Sequence, residues 1–135
     1  MLTPQTVLII STEEKNRKEL ECAFHKYGLS TAHSETVTVA KKLIHSEPFA
    51  AIFCEENLTD GSFREVIEEV SSSRMGTPVI IISSCGNWDA CVAAMAAGAF
   101  DYIGLPVNPE QIERILLMVL DRAGDYENHL AMVAG

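Results

Sequence analysis

The sequence predicts an α/β fold: one doubly wound domain with a five-stranded parallel sheet and five helices. Three observations point there. Short apolar runs rich in β-branched residues, Val7–Ile10 and Val79–Ile82 above all, lack polar alternation, as expected of strands buried on both faces. Longer segments with apolar residues at steps of three and four separate these runs. The two patterns alternate five times. Such a repeat implies a parallel sheet whose right-handed crossovers place helices on both faces.

Each element has its own signal. Val7–Ile10 is the first strand. Ser11, with Glu14 three positions on, has the spacing of a capping box opening the first helix. Leu20, Phe24 and Tyr27 share one face of that helix, and Gly28 stops it. Leu29 to His33 is a short second strand. Val37, Ala40, Leu43 and Ile44 form the inward stripe of a second helix, ended by Pro48. Phe49 to Cys54 is the third strand, and the acidic stretch from Glu55 to Gly61 is a loop. Ser62 and Glu65 repeat the capping-box spacing ahead of a third helix with Phe63, Val66, Ile67 and Val70 inward. Gly76-Thr77-Pro78 breaks the chain before the strand Val79–Ile82. Asn87 caps a fourth helix that runs through Ala97 to a stop at Gly98. Phe100 to Gly104 is the fifth strand. Asn108-Pro109 is an N-cap followed by proline at the first helical position, opening a helix to at least Ala123.

The chain has 135 residues, enough for one domain with one sizeable core. With 10 lysines and arginines against 19 aspartates and glutamates, its formal charge is −9. A basic face for nucleic acid has little to be built from, and an anionic membrane is an equally poor partner. No stretch approaches the ~20 apolar residues that span a bilayer. The N-terminus has no basic region ahead of an apolar one, so no signal peptide is expected and the protein is expected to be cytoplasmic. Cys22, Cys54, Cys85 and Cys91 have no CxxC spacing and read as reduced thiols. Neither they nor His25, His33, His45 and His129 suggest a metal site, and no cofactor is expected.

In open α/β sheets the functional crevice lies beyond the carboxyl ends of the strands. The residues to read are therefore Ser11-Thr12, Glu55-Glu56, Ser83-Ser84 and Leu105-Pro106. With the stretches Leu58-Thr59-Asp60-Gly61, Pro78 to Ser83 and Gly98 to Val107, and with Arg17 on the first helix, the chain from about Gln5 to Arg122 resembles the receiver domain of bacterial two-component response regulators. The resemblance implies a flavodoxin-like fold of receiver type, and chemistry in which a phosphoryl group passes to an aspartate. That chemistry needs a carboxylate nucleophile, a divalent cation held by an acidic pair, and a lysine and a hydroxyl on the phosphoryl oxygens.

Carried over position by position, the acidic pair falls on Ser11 and Thr12, poor replacements for carboxylate ligands to a hard cation. The phosphoacceptor falls on Glu55. The hydroxyl is retained as Ser83, and the aromatic that changes rotamer in many receivers falls on Tyr102. The lysine falls on Leu105, which cannot hold a phosphate. The resemblance also implies a cis peptide bond before Pro106. The expectation is a degenerate, non-phosphorylating receiver: not an enzyme, but a signal-input or dimerisation module of a transcriptional regulator.

Two alternatives remain open. One is a working receiver that uses a shifted acidic set, Glu13, Glu14, Glu55 and Glu56, to hold the metal. The other is a flavodoxin-like cofactor binder with Ser11-Thr12 as its phosphate loop, although that loop lacks the glycine that lets backbone amides approach a phosphate. Trp88 is a further candidate, as an anchor for a partner.

Along the C-terminal helix, Ile112, Leu116, Val119, Ala123, Tyr126, Leu130 and Val133 recur at alternating steps of four and three, a coiled-coil seam whose first half is needed to cover the sheet and whose second half extends past the domain. The extended helix resembles the receiver-to-ATPase linker of nitrogen-regulation-class activators, which work with the alternative sigma factor. Residues 1–123 are read as the receiver-like domain and 124–135 as a helical linker toward an output domain. Tyr126, Leu130 and Val133 are the expected dimer contacts. The expected partners are a second copy, the output domain of the same chain, or a signalling protein.

Overall fold

The computed structural model describes residues 4–73, 75–84 and 86–120. Five parallel strands form the sheet: β1 (Thr6–Ile10), β2 (Ser30–Ser34), β3 (Ala51–Glu55), β6 (Val79–Ser83) and β7 (Asp101–Gly104), in the order β2-β1-β3-β6-β7. The order reverses at β1, so the loops after β1 and β3 open away from each other. A topological switch point of this kind forms a crevice. Between β3 and the third helix a short antiparallel hairpin, β4 (Asn57–Leu58) with β5 (Gly61–Ser62), occupies what the sequence marks as loop.

The helices are α1 (Glu14–His25), α2 (Val37–Ser46), α3 (Phe63–Ser73), α4 (Trp88–Ala96) and α5 (residues 109–120). Alternate residues of each strand face opposite layers. Val7, Ile9, Phe53, Ile80 and Ile82 meet Leu20 and Phe24 of α1 and Ile112, Ile115, Leu116 and Val119 of α5. Leu8, Ile10, Ile52, Cys54 and Ile81 meet α2, α3 and α4. The strands lack polar alternation because both their faces are covered.

The caps differ in how closely they follow the sequence. Asn87 Oδ1 accepts the N–H of Ala90 at 2.8 Å, and Asn108 Oδ1 accepts that of Glu110 at 2.9 Å. Ser62 Oγ accepts only the N–H of Arg64, at 3.3 Å. The expected capping box at Ser11 does not form: Glu13 is the N-cap of α1, without a side-chain cap bond. Ser11 is drawn into the sheet edge instead, its N–H donating to the Ser34 carbonyl at 2.9 Å. Tyr27 is a second correction. It lies past the end of α1 and is exposed, because the helix gives way to a turn that Gly28 completes at φ +74°. Phe100 is a third: it lies just before β7, its N–H bonded to the Val79 carbonyl at 2.8 Å.

Candidate functional site

The loops after β1, β3, β6 and β7 meet at the carboxyl edge of the sheet. They enclose a cavity of about 420 Å³ lined by Glu13, Lys15, Asn16, Glu55, Glu56, Ser83, Ser84, Leu105 and Pro106, among others. A larger, shallower groove runs along the opposite strand ends, past Val70, Pro78 and Gly98, away from every residue with chemistry at the crevice.

Backbone bonds fix the loops in place. The Glu56 N–H donates to the Ile82 carbonyl at 3.1 Å and the Leu105 N–H to the Ser83 carbonyl at 2.9 Å. The ladder thus runs one residue past each strand and carries Glu56 and Leu105 into the crevice. The Leu105–Pro106 peptide bond is cis.

Glu55 ends β3. Its Oε1 accepts two hydrogen bonds from Thr12: one from the backbone N–H, the other from the hydroxyl at 3.0 Å. A neutral threonine, donating only, faces the carboxylate of Glu55. Ser11 is buried beside this pair but turned inward. Its Oγ accepts the N–H of Glu13 at 3.1 Å and donates to the Glu13 carbonyl at 3.2 Å, closing a local turn. Glu14 points along its own helix to Lys18, 2.9 Å away, which holds its carboxyl below the usual range. Among the described residues, no three histidine, cysteine, aspartate or glutamate side chains converge to hold a metal ion. Leu105 packs with Val107 and Phe100 against the core shared by α1 and α5.

Tyr102 is half-buried and reaches back over the sheet. Its hydroxyl donates to Oε2 of Glu56 at 2.9 Å. Burial pushes the phenol above its ordinary range; a hydrogen bond with Ser83 opposes that shift and the Glu56 carboxylate adds to it. Burial likewise raises the Cys54 thiol, with Glu55 contributing, so this cysteine is an inert part of the core.

The crevice therefore brings together Thr12, Glu55, Ser83, Leu105 and Pro106, with Tyr102 joined to it through Glu56 and Ser83, while Ser11 lies beside it engaged with its own loop. Tyr126, Leu130 and Val133 lie outside the described residues. Sequence reasoning missed Glu56 as the partner of Tyr102, because 46 positions separate them and neither residue alone signals the pairing. It also missed Asp60 as a cap for α2, although an aspartate ahead of a glycine in a turn is a usable sign of a local hydrogen-bonding role.

Comparison with known proteins agrees with this geometry. The response regulator receiver domain family matches residues 7–117. The response regulator protein PilR of Pseudomonas aeruginosa is 29% identical over 119 residues, covering 88% of this chain and 27% of PilR. The photosynthetic apparatus regulatory protein RegA of Rhodovulum sulfidophilum is 27% identical over 112 residues, covering 83% of this chain and 61% of RegA. The chain thus spans about a quarter of the first relative and under two thirds of the second. Among solved structures, the beryllofluoride-activated NtrC4 receiver domain dimer superposes with a TM-score of 0.81 at 22% identity, covering 87% of this chain and 98% of that one. A CheY-like receiver domain protein from Methanospirillum hungatei gives 0.79 at 21%, covering 91% and 99%. At these identities the structures speak for the fold.

Proposed function

The chain belongs to the response regulator receiver domain family, and we propose that it is a non-phosphorylating member of it. In this reading it is not an enzyme. It is a cytoplasmic signal-input or dimerisation module of a transcriptional regulator, passing on a state that no phosphoryl transfer sets.

The observation that carries this reading is the pairing of Glu55 with Thr12. Glu55 stands where the resemblance puts the phosphoacceptor, and Thr12 where it puts an acid. A divalent cation needs several oxygen ligands with negative charge among them. Here one carboxylate oxygen is already occupied by two neutral donors, and Ser11 is engaged with its own loop. Transferred phosphoryl oxygens also need a cation to neutralise them, and Leu105 supplies none.

The shifted acidic set has less support. Of its four glutamates, Glu14 is held by Lys18 and Glu55 by Thr12. Magnesium titration tests the reading: Trp88 and tyrosine fluorescence should show no saturable response at millimolar concentrations. A saturable response unaltered by Ser11→Asp would overturn it and point to a different acidic set.

A further inference from the structure

Tyr102 is anchored at a point where four separate segments meet. Its hydroxyl donates to Glu56 at the end of β3. It also shares a hydrogen bond with Ser83 at the end of β6. A methyl group at Gly86, on the loop leading into α4, would lie 3.7 Å from the ring's Cε1. The ring itself packs against the core formed with α2, α3 and α4.

Few other constraints fix α4. Among its residues only Ala94 is buried, while Trp88, Val92 and Met95 are exposed. A thin helix with one buried side chain takes its position mainly from what touches its first turns and the loop before it. A half-buried charge-assisted hydrogen bond is among the stronger polar contacts available to do this.

We infer that Glu56 acts as a latch: by accepting the Tyr102 hydroxyl it holds the ring against the β6–α4 loop and so fixes the position of α4, with no phosphoryl group involved. Glu56 is a positioning residue here, acting on α4 through Tyr102. The inference rests on the non-phosphorylating reading, because it gives the state of α4 to a permanent carboxylate.

The test uses the whole chain labelled with 15N and with 13C-tyrosine, observed by NMR, with Tyr102→Phe identifying the Tyr102 ring signals. Glu56→Ala should move those ring signals and the amide signals of Trp88 to Ala96. Glu56→Gln, which keeps an acceptor, should restore most of both shifts. In the Tyr102→Phe background, Glu56→Ala should leave the α4 amides where Tyr102→Phe alone puts them. Unmoved α4 amides in folded Glu56→Ala would overturn the latch. So would equal α4 shifts from Glu56→Ala with and without the tyrosine hydroxyl. Neither outcome bears on magnesium binding, and a saturable magnesium response unaltered by Ser11→Asp would overturn the non-phosphorylating reading while leaving these shifts as measured.

Discussion

The carboxylate of Asp60, carried on the turn between β4 and β5, closes the N-terminus of α2: Oδ1 accepts the Val37 N–H at 2.8 Å. Oδ2 accepts the Thr38 N–H at 3.0 Å and its hydroxyl at 2.7 Å. The Val37 N–H, ahead of the Thr38 hydroxyl and N–H, lowers the Asp60 pKa from an ordinary 3.8 to about 2. The hairpin that the sequence marks as plain loop thus tethers two elements 22 residues apart.

A group whose pKa falls on folding stabilises the protein while it is ionised. The contribution of Asp60 is therefore complete above pH 3.8 and is lost as the pH falls through about 2. Asp60→Asn should lower the melting temperature at neutral pH. The gap between variant and parent should narrow steadily in thermal melts taken between these two values. A gap that is constant across that window contradicts the assignment.

Phe24 of α1 and Phe53 of β3 pack with ring centroids 4.9 Å apart and planes inclined at 54°, both fully buried. Truncating a buried phenylalanine removes its transfer free energy and leaves a cavity, at about 3–5 kcal/mol. Phe53→Ala should lose that much in urea unfolding. Exposed Val39→Ala should lose well under 1 kcal/mol. A small effect at Phe53 would place the core elsewhere.

The fold was legible because its strands are buried on both faces and read as unbroken apolar runs. Polar caps such as Asn87 and Asn108 also stand at the starts of their helices. Ser11 misled because its spacing to Glu14 is that of a capping box, while the chain spends Ser11 on the sheet edge and on Glu13. The hairpin escaped because two-residue strands have no periodicity to detect. At the site, residue types were legible and partners were not. Nothing local tells that Thr12 faces Glu55 across 43 positions, or that Tyr102 faces Glu56.

If the site fails for want of ligands and a cation, replacing them should restore it. The combined variant Ser11→Asp, Thr12→Asp, Glu55→Asp and Leu105→Lys places three carboxylates and an ammonium around the same cavity. It should bind magnesium saturably where the parent does not, measured by calorimetry with both proteins folded. Thr12→Asp alone sets a second carboxylate against Glu55 and should destabilise the chain at low salt more than at high salt. Equal effects at both ionic strengths would contradict the contact.

Association is expected through the C-terminal seam. In the described part of α5, Ile112, Leu116 and Val119 are buried against the sheet. Tyr126, Leu130 and Val133 continue that spacing beyond the described residues. Sedimentation should show a monomer–dimer equilibrium that Leu130→Glu or truncation after Arg122 shifts toward monomer. A dimer unaffected by both would move the contact to α4, where Trp88 is 78% exposed and Val92 and Met95 follow it on the same face.

The central claim is that this receiver does not accept a phosphoryl group, and intact-mass measurement after incubation with acetyl phosphate and magnesium tests it most directly. The mass should remain that of the untreated chain, because Glu55 is held by Thr12, Ser11 and Thr12 stand in place of the acidic pair, and Leu105 stands in place of the lysine. A gain of one phosphoryl group, abolished by Glu55→Ala, would contradict the account and make Glu55 a working acceptor.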